Sequence, residues 1–319
     1  MLTLEPVSPF EPVSETDIPA GADWIHQVKW DGVRILVYRD GGKCRLFNRK
    51  GNERTGNYPE LAAVESYCSA SSVILDGEVI ALGKDGKPSF HEVMRRDGIR
   101  RSDRVEAAVQ TVPVAYMIFD LLYLDGEWLL KEPLSRRQER LEAVIRPGPH
   151  VQLVPSYDDG EALFALMKQQ GMEGIVCKRR DSLYAIGGKD RRWVKVKNYG
   201  DLIAVIGGFT LNGGIVNAVL LGIYDGKGDL YYIGHAGTGR LTRKDWAEWT
   251  VRLKEIERPD NPFKNRHPEM KGSYWVIPKY TLKVQFAEWR WQEGRTLRQP
   301  SIQAFVDIPP EQCVFEEWR

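Results

Sequence analysis

The 319-residue sequence predicts a two-domain α+β protein, a mixed domain built on antiparallel sheets followed by a small all-β barrel. Three observations predict it. Residues 24–51, WIHQVKWDGVRILVYRDGGKCRLFNRKG, alternate apolar and polar side chains between the turn dipeptides Asp31-Gly32 and Asp40-Gly41. Helix-period and strand-period segments then follow one another up to residue 199. From Gly200 the chain turns β-rich and glycine-punctuated, with one helical stretch, so the domains are expected at 1–199 and 200–319.

In chain order, the first twenty residues carry acids and prolines and read as extended chain. They have no basic n-region and no apolar h-region, so no signal peptide is expected. With no long uncharged apolar run anywhere, the protein is expected in the cytoplasm and not in a membrane. Residues 24–51 read as a meander of short antiparallel strands. YPELAAVESYCS (58–69) reads as a short amphipathic helix and VILDGEVIAL (73–82) as a strand. VPVAYMIFDLLYLDG (112–126) is almost continuously apolar, as expected of a strand buried on both faces. LSRRQERLEAVI (134–145) and DDGEALFALMKQQG (158–171) read as helices, the second capped by Gly171. EGIVCKR (173–179) and RRWVKVK (191–197) are strands. Beyond Gly200, strand-like LIAVIGGFT, VNAVLLGIYDGKGDLYYIGHAGTG and YTLKVQFAEWRWQEG surround the helix RKDWAEWTVRLKEI. Short strands with one helix suit a Greek-key barrel such as an OB-fold.

Charge and cysteine usage exclude several classes. The four cysteines are scattered singly and the five histidines form no HxxxH pair, which argues against a zinc site or a disulfide framework. Net charge is +1, and residues 1–199 carry 29 basic and 29 acidic side chains, so there is no polybasic tail. Local clusters remain: RRDGIRRSDR (95–104), KRR (178–180) and RRWVKVK (191–197). Each is either a solvated face or part of a surface for a polyanion.

Lys29-Trp30-Asp31-Gly32-Val33-Arg34 is the most informative stretch: a lysine ends a strand, a tight turn follows, and an arginine points back from the next. A lysine amine attacks only when neutral, so it needs desolvation or a nearby cation, which Arg34 across the turn is expected to supply. Glu78 and Glu173 on different strands can hold a divalent metal, and Lys195 and Lys197 alternate onto one face where they can hold a phosphate. This assembly suits attack of a lysine on a nucleoside triphosphate. No GxxxxGK[ST] loop is present, so it is not a P-loop site. Taken singly, Glu78 and Glu173 could be exposed strand acids, and Phe119 a core aromatic.

Lys29–Arg34, Arg49 in NRKGNE, Asp76-Gly77-Glu78, Phe119-Asp120, Glu173-Gly174-Ile175-Val176 and Lys195-Val196-Lys197 occur in the order of the motifs of the covalent nucleotidyltransferase superfamily. The sequence resembles that superfamily of ATP-dependent DNA ligases, RNA ligases and capping enzymes over nearly its whole length. Its layout is most similar to the ligase domains of bacterial end-joining ligase D enzymes. The resemblance implies a nucleotidyltransferase (adenylation) domain and an OB-fold domain, with ATP and Mg2+ (or Mn2+) as cofactors. Lys29 would form a lysyl-AMP intermediate, whose AMP passes to the 5′-phosphate of nicked duplex DNA before the strand is sealed. Arg34 and Arg49 would contact phosphate and ribose, Phe119 the adenine face, and Lys195 and Lys197 the α-phosphate. Glu78 would serve the ribose side and a metal, and Glu173 a metal.

Two positions depart from the family pattern. Gln27 stands where a glutamate usually reads the adenine 6-amino group, and Leu297-Arg298-Gln299-Pro300 replaces the usual RxDK ending, making Arg298 the candidate for the pyrophosphate. The resemblance also implies a monomer, nucleoid-associated when acting, with a Ku-type end-binding partner. With Lys29 so early in the sequence, no separate N-terminal DNA-binding domain and no polymerase or nuclease module are expected. Arginines at 95–101 and basic residues at 178–180 are expected to contact the DNA backbone. The competing readings are an RNA-sealing or capping-type nucleotidyltransferase and a non-catalytic module that binds DNA ends.

Overall fold

Lys29 lies where the chain crosses between two sheets. A computed structural model describes residues 5–315 except Thr238 and Arg240, and it divides into two units, one ending at Asn198 and the other beginning at Tyr199.

In the first unit, strands β1 (Glu11–Glu15), β2 (Trp24–Val28), β3 (Val33–Asp40) and β4 (Lys43–Asn48) precede helix α1 (Pro59–Ala62) and strand β5 (Val73–Ala81). Helices α2 (Phe90–Asp97) and α3 (Val105–Thr111) lead to the long β6 (Val114–Leu124) and short β7 (Glu127–Trp128). Then come α4 (Leu134–Val144), β8 (Val151–Leu153), α5 (Gly160–Gln169), β9 (Gly174–Arg179) and β10 (Lys189–Lys197). One sheet has the order β1-β10-β9-β2, the other β4-β3-β5-β6-β7 with β8 beside β6.

The expected meander over residues 24–51 is therefore half right. β3 and β4 form the hairpin, but β2 pairs with β9 in the other sheet. The alternation is that of strands, yet it does not say which strand is the neighbour. Gly32 allows the crossing, since a Cβ there would lie 2.1 Å from the Val79 carbonyl oxygen. The opening chain is more than extended coil, because β1 pairs in parallel with β10 and sets Ser14 opposite Lys195.

β6 is buried on both faces as its composition predicts. Tyr116, Ile118 and Leu121 join one apolar cluster with Ile35, Val37 and Leu75, while Leu122 joins another with Leu36 and Tyr38. The helix expected over 58–69 is instead the single turn α1 followed by a 3₁₀ turn at Val64–Ser66. Tyr58, Leu61, Val64 and Tyr67 are all buried at a spacing of three, the 3₁₀ period rather than 3.6. The basic run 95–104 concealed α2, whose Ser89 cap accepts from the Glu92 N–H. Arg96 is no surface cation: it is fully buried and bonds Glu60 and the carbonyls of Asn57 and Val112.

In the second unit, β11 (Gly200–Asn212) is the central strand. It is followed by β12 (Ile215–Tyr224), β13 (Leu230–Ala236), α6 (Arg243–Lys254), β14 (Glu257–Arg258), β15 (Tyr274–Val276), β16 (Thr281–Phe286) and β17 (Ser301–Val306). β11 pairs with β16 over its first half and with β12 over its second, which bends the sheet. A bridge between Gly239 and Ile302 then ties the chain after β13 to β17 and closes the strands on themselves. Ile206, Val219, Leu221, Leu253 and Val284 fill the interior. The helix α6 begins with a capping box between Thr242 and Asp245. Among the described residues no helix is long and apolar enough to cross a membrane.

Candidate active site

β2 delivers Lys29 to the start of β9, where the Lys29 N–H donates to the Gly174 carbonyl at 2.9 Å. Glu173 stands immediately before that strand. Its Oε2 lies 2.7 Å from Lys29 Nζ and its Oε1 3.3 Å from Lys197 Nζ, so one carboxylate bridges two lysines. Gly174 makes the approach possible: its φ is +134° and a Cβ would lie 2.2 Å from the Val196 carbonyl oxygen. Burial works to raise the Glu173 carboxyl, but Lys29 and Lys197 outweigh it and hold it below the usual carboxylate range. Lys195, two residues before Lys197 on β10, is pushed down by burial and by the charges of Lys29 and Lys197.

Lys29 and Lys195 edge a cleft of about 580 Å³, a volume ordinary for a small-molecule site. Phe119, Trp193 and Val176 give it an apolar wall. Lys178 lies within it, 2% exposed, with Nζ 4.2 Å from the Phe119 ring centre and 4.0 Å from that of Trp193. Among the described residues that amine has no hydrogen-bond partner, and burial lowers it to about 7. The expectation that 178–180 contact DNA is therefore corrected for Lys178, while Arg179 pairs with Asp181 and Arg180 with Asp158. Lys178 shares a face of β9 with Val176 two residues earlier, and that period was the signal that could have found it.

Arg34 also lines the cleft, but its charge is matched. Nε and Nη2 donate to the two Asp76 oxygens at 2.8 and 2.5 Å, and Nη1 donates to the Phe10 carbonyl at 2.7 Å. Tyr184 donates its hydroxyl to Asp76 at 2.8 Å and accepts the Phe10 N–H. Lys195 and Lys197 are cationic neighbours of Lys29 that the reading of the turn alone did not name. Asp76 was read only as part of a motif, and its role in holding Arg34 is visible only in three dimensions.

Glu78 follows Asp76 at the next same-face position of β5. Burial pushes its carboxyl up to about 8, with Glu173 and Asp31 adding to the effect and Lys29 and Arg34 opposing it. Gln27 is buried in the wall, its Nε2 bonded to the Val154 carbonyl and the Ser156 hydroxyl. Arg49, 57% exposed at the cleft edge, lies 3.4 Å from Glu11. Arg298 belongs to the second unit, where its N–H donates to the Glu288 carbonyl and its guanidinium lies 3.8 Å from that carboxylate.

Glu78 and Lys178 predict a distinctive stability profile. Folding lifts Glu78 from 4.5 to about 8, so the folded state keeps a proton the unfolded chain has lost, and stability falls as pH rises across that window. Folding lowers Lys178 from 10.5 to about 7, so the unfolded chain binds the extra proton, and stability rises between those values. The ligand-free protein should therefore melt at its lowest temperature between about pH 7 and 8. Glu78→Gln should remove the falling limb and Lys178→Met the rising one. Melting curves that climb steadily through that range in the unliganded protein would contradict the burial of Glu78.

Comparison with known proteins bears on this site. The family model described as ATP dependent DNA ligase domain matches residues 8–197, and that of the ATP dependent DNA ligase C terminal region matches 212–306. The chain is 36% identical over 304 residues to the multifunctional non-homologous end joining protein LigD of Mycobacterium bovis, covering 92% of this chain and 38% of that protein. It is 30% identical over 320 residues to a DNA ligase of Thermococcus fumicolans, covering 94% of this chain and 55% of that one. A solved structure described as mycobacterial DNA ligase D complexed with ATP and MES is 33% identical, with a TM-score of 0.53 over 97% of this chain and 98% of that one. The chain belongs to the ATP-dependent DNA ligase family. Its first unit has the nucleotidyltransferase fold and its second the OB-fold.

Proposed function

We propose that the chain is an ATP-dependent DNA ligase that seals nicked duplex DNA through a lysyl-AMP at Lys29. Residues 1–199 would act as the adenylation domain and 200–319 as the OB-fold domain. The observation that carries the reading is the charge around Lys29. Lys29 and Lys197 share one ionised carboxylate, Glu173, and Lys195 stands close enough to feel both of their charges, while burial raises Glu78 to about 8, so that it adds little negative charge at neutral pH. A triphosphate supplies the missing negative charge, and the wall of Phe119 and Val176 offers a flat base an apolar seat.

In the first step a bond forms between Lys29 Nζ and the α-phosphorus, and the bond from that phosphorus to the pyrophosphate oxygen breaks. Nζ, which solvent reaches, gives one proton to water to free its lone pair and a second to water as the new bond closes. Glu173, held acidic, orients the amine rather than taking its proton. Lys195 and Lys197 offset charge that grows on the phosphoryl oxygens. Phe119 stacks on adenine, Arg34 and Arg49 serve ribose and phosphate, and Arg298 serves the leaving pyrophosphate. AMP then passes to the 5′-phosphate at the nick, and the 3′-hydroxyl displaces it.

Glu78 and Glu173 fit a hard divalent cation, Mg2+ or Mn2+. Their oxygens are hard donors, and a cation would favour the charged form of Glu78 that burial disfavours. Among the described residues no group of three or more His, Cys, Asp or Glu could hold a metal, so phosphate oxygens would complete the coordination. Such an ion supplies charge neutralisation on the triphosphate when bound. End joining as the process is supported by the end-joining names of the relatives, and a Ku-type end-binding protein is the partner we propose for it. We further propose a cytoplasmic monomer that joins the nucleoid when acting.

The test is intact-protein mass after incubation with ATP and magnesium, followed by nicked duplex DNA or nicked duplex RNA. The expected result is a gain of one AMP that nicked DNA discharges. Discharge by RNA alone would move the chain to RNA sealing, and no adduct with any nucleotide would leave a DNA-end-binding module.

A further inference from the structure

We infer that the segment Val154–Ser156 is a specificity clamp, with Ser156 the positioning residue that fixes the Gln27 carboxamide so that the site takes 6-aminopurine and refuses 6-oxopurine nucleotides. The inference rests on the nucleotide reading above and deepens it. A carboxylate at position 27 would present two equivalent acceptors. A carboxamide presents an acceptor or a donor according to which way it is turned, so its surroundings must decide.

Here they do. Gln27 is 2% exposed, and its place in β2 is set by pairing with Val176 of β9. Nε2 lies 3.3 Å from the Val154 carbonyl oxygen and 3.1 Å from Ser156 Oγ. A backbone carbonyl only accepts, so the group facing it must be the NH2; the opposite turn would set two oxygens against each other in a buried place. Both amide hydrogens are then engaged, and Oε1 is what Gln27 has left for the cleft it lines. Val154 supplies the direction of the clamp and Ser156 its second point. Gln138 of α4 donates to the same Ser156 oxygen at 3.1 Å and holds the hydroxyl in place. An oxygen at this position accepts the amino hydrogen at ring position 6 of adenine and repels the 6-oxygen of hypoxanthine or guanine.

The experiment measures covalent nucleotide adduct formation, by intact mass, over a range of ATP or inosine triphosphate concentrations with magnesium. It compares the full chain with Ser156→Ala, Ser156→Thr, Gln138→Ala and Gln27→Met. Loss of one hydrogen bond from the clamp should lower the ATP preference of Ser156→Ala about tenfold, chiefly through KM for ATP. Ser156→Thr should restore it, Gln138→Ala should shift it less in the same direction, and Gln27→Met should abolish it. If Ser156→Ala keeps the preference while Gln27→Met loses it, or slows both nucleotides equally, the clamp is overturned and the nucleotide reading stands. If no variant alters the preference, Gln27 is not at the base, which overturns the clamp together with that contact. Absence of any adduct on the unaltered protein removes the nucleotide reading and the clamp with it.

Discussion

Lys29→Ala should take up no AMP and should lose strand sealing from the start of the reaction by at least about 10⁴-fold, the scale at which removing a covalent nucleophile acts. The size follows from the geometry. Lys29 is the amine whose backbone is pinned to Gly174 and whose side chain is fixed by Glu173 at 2.7 Å, so no neighbour can move into its place. Lys197, on the other Glu173 oxygen, and Lys195, two residues before it, are the nearby amines, and both backbones are fixed in the β10 ladder against β9. The variant should remain folded, because the loss leaves Glu173 still paired with Lys197. Supplying pre-adenylated nicked DNA should recover part of the sealing, since that substrate has passed the step proposed for Lys29. An AMP adduct on Lys29→Ala protein, or equal defects with and without the adenylated nick, would overturn the assignment.

The second large effect concerns stability rather than chemistry. Asp120 and Arg137 are both 0% exposed and meet in a double hydrogen bond at 2.7 and 2.8 Å. Arg137 also donates to the carbonyls of Glu132 and Ser182, tying β6 and α4 to the chain after β9. Removing one partner of a buried pair leaves the other charged and unmatched, a cost of about 3–5 kcal/mol. Asp120→Ala should therefore lower the melting temperature of the first unit by about 6–20 °C, at about 2–4 °C per kcal/mol for a domain of this size. Arg137→Met combined with Asp120→Ala should regain part of the loss, because no orphan charge remains, while the Glu132 and Ser182 carbonyls still lose their donor. A single-variant loss below about 1 kcal/mol would mean the pair is reached by water.

Much of the strand order was legible because alternation and turn dipeptides are local signals. β5, β6, β9 and β10 lie within two residues of where composition sets them. Pairing is not local, so nothing in residues 24–34 says that β2 leaves its sequence neighbour for β9. Charge likewise says nothing of burial. Arg96 and Lys178 look like surface cations in their basic runs, yet one braces α2 from within and the other stands over two aromatic rings. The structure brings Lys29, Glu173 and Lys197 into contact, and the cleft beside them is lined by Gln27, Arg34, Glu78, Phe119 and Lys195. What the sequence could not convey is which charges cancel. Arg34 stands out as a cation in the sequence, yet Asp76 on the adjoining strand is its ion-pair partner.

The ion pair between Lys29 and Glu173 joins residues 144 apart along the chain. Strand β1 waits longer still, since its parallel partner β10 ends at Lys197. During synthesis at about 5–20 residues per second, Lys29 would stand without its carboxylate for roughly 7–30 s after leaving the ribosome. Loop-closure entropy over such a span makes this pairing a late event, well after the local β3–β4 hairpin has formed. The cleft is thus a product of chain completion through β10. A ribosome stalled before that strand would present a nascent chain with the β3–β4 hairpin in place and no lysine pocket to charge.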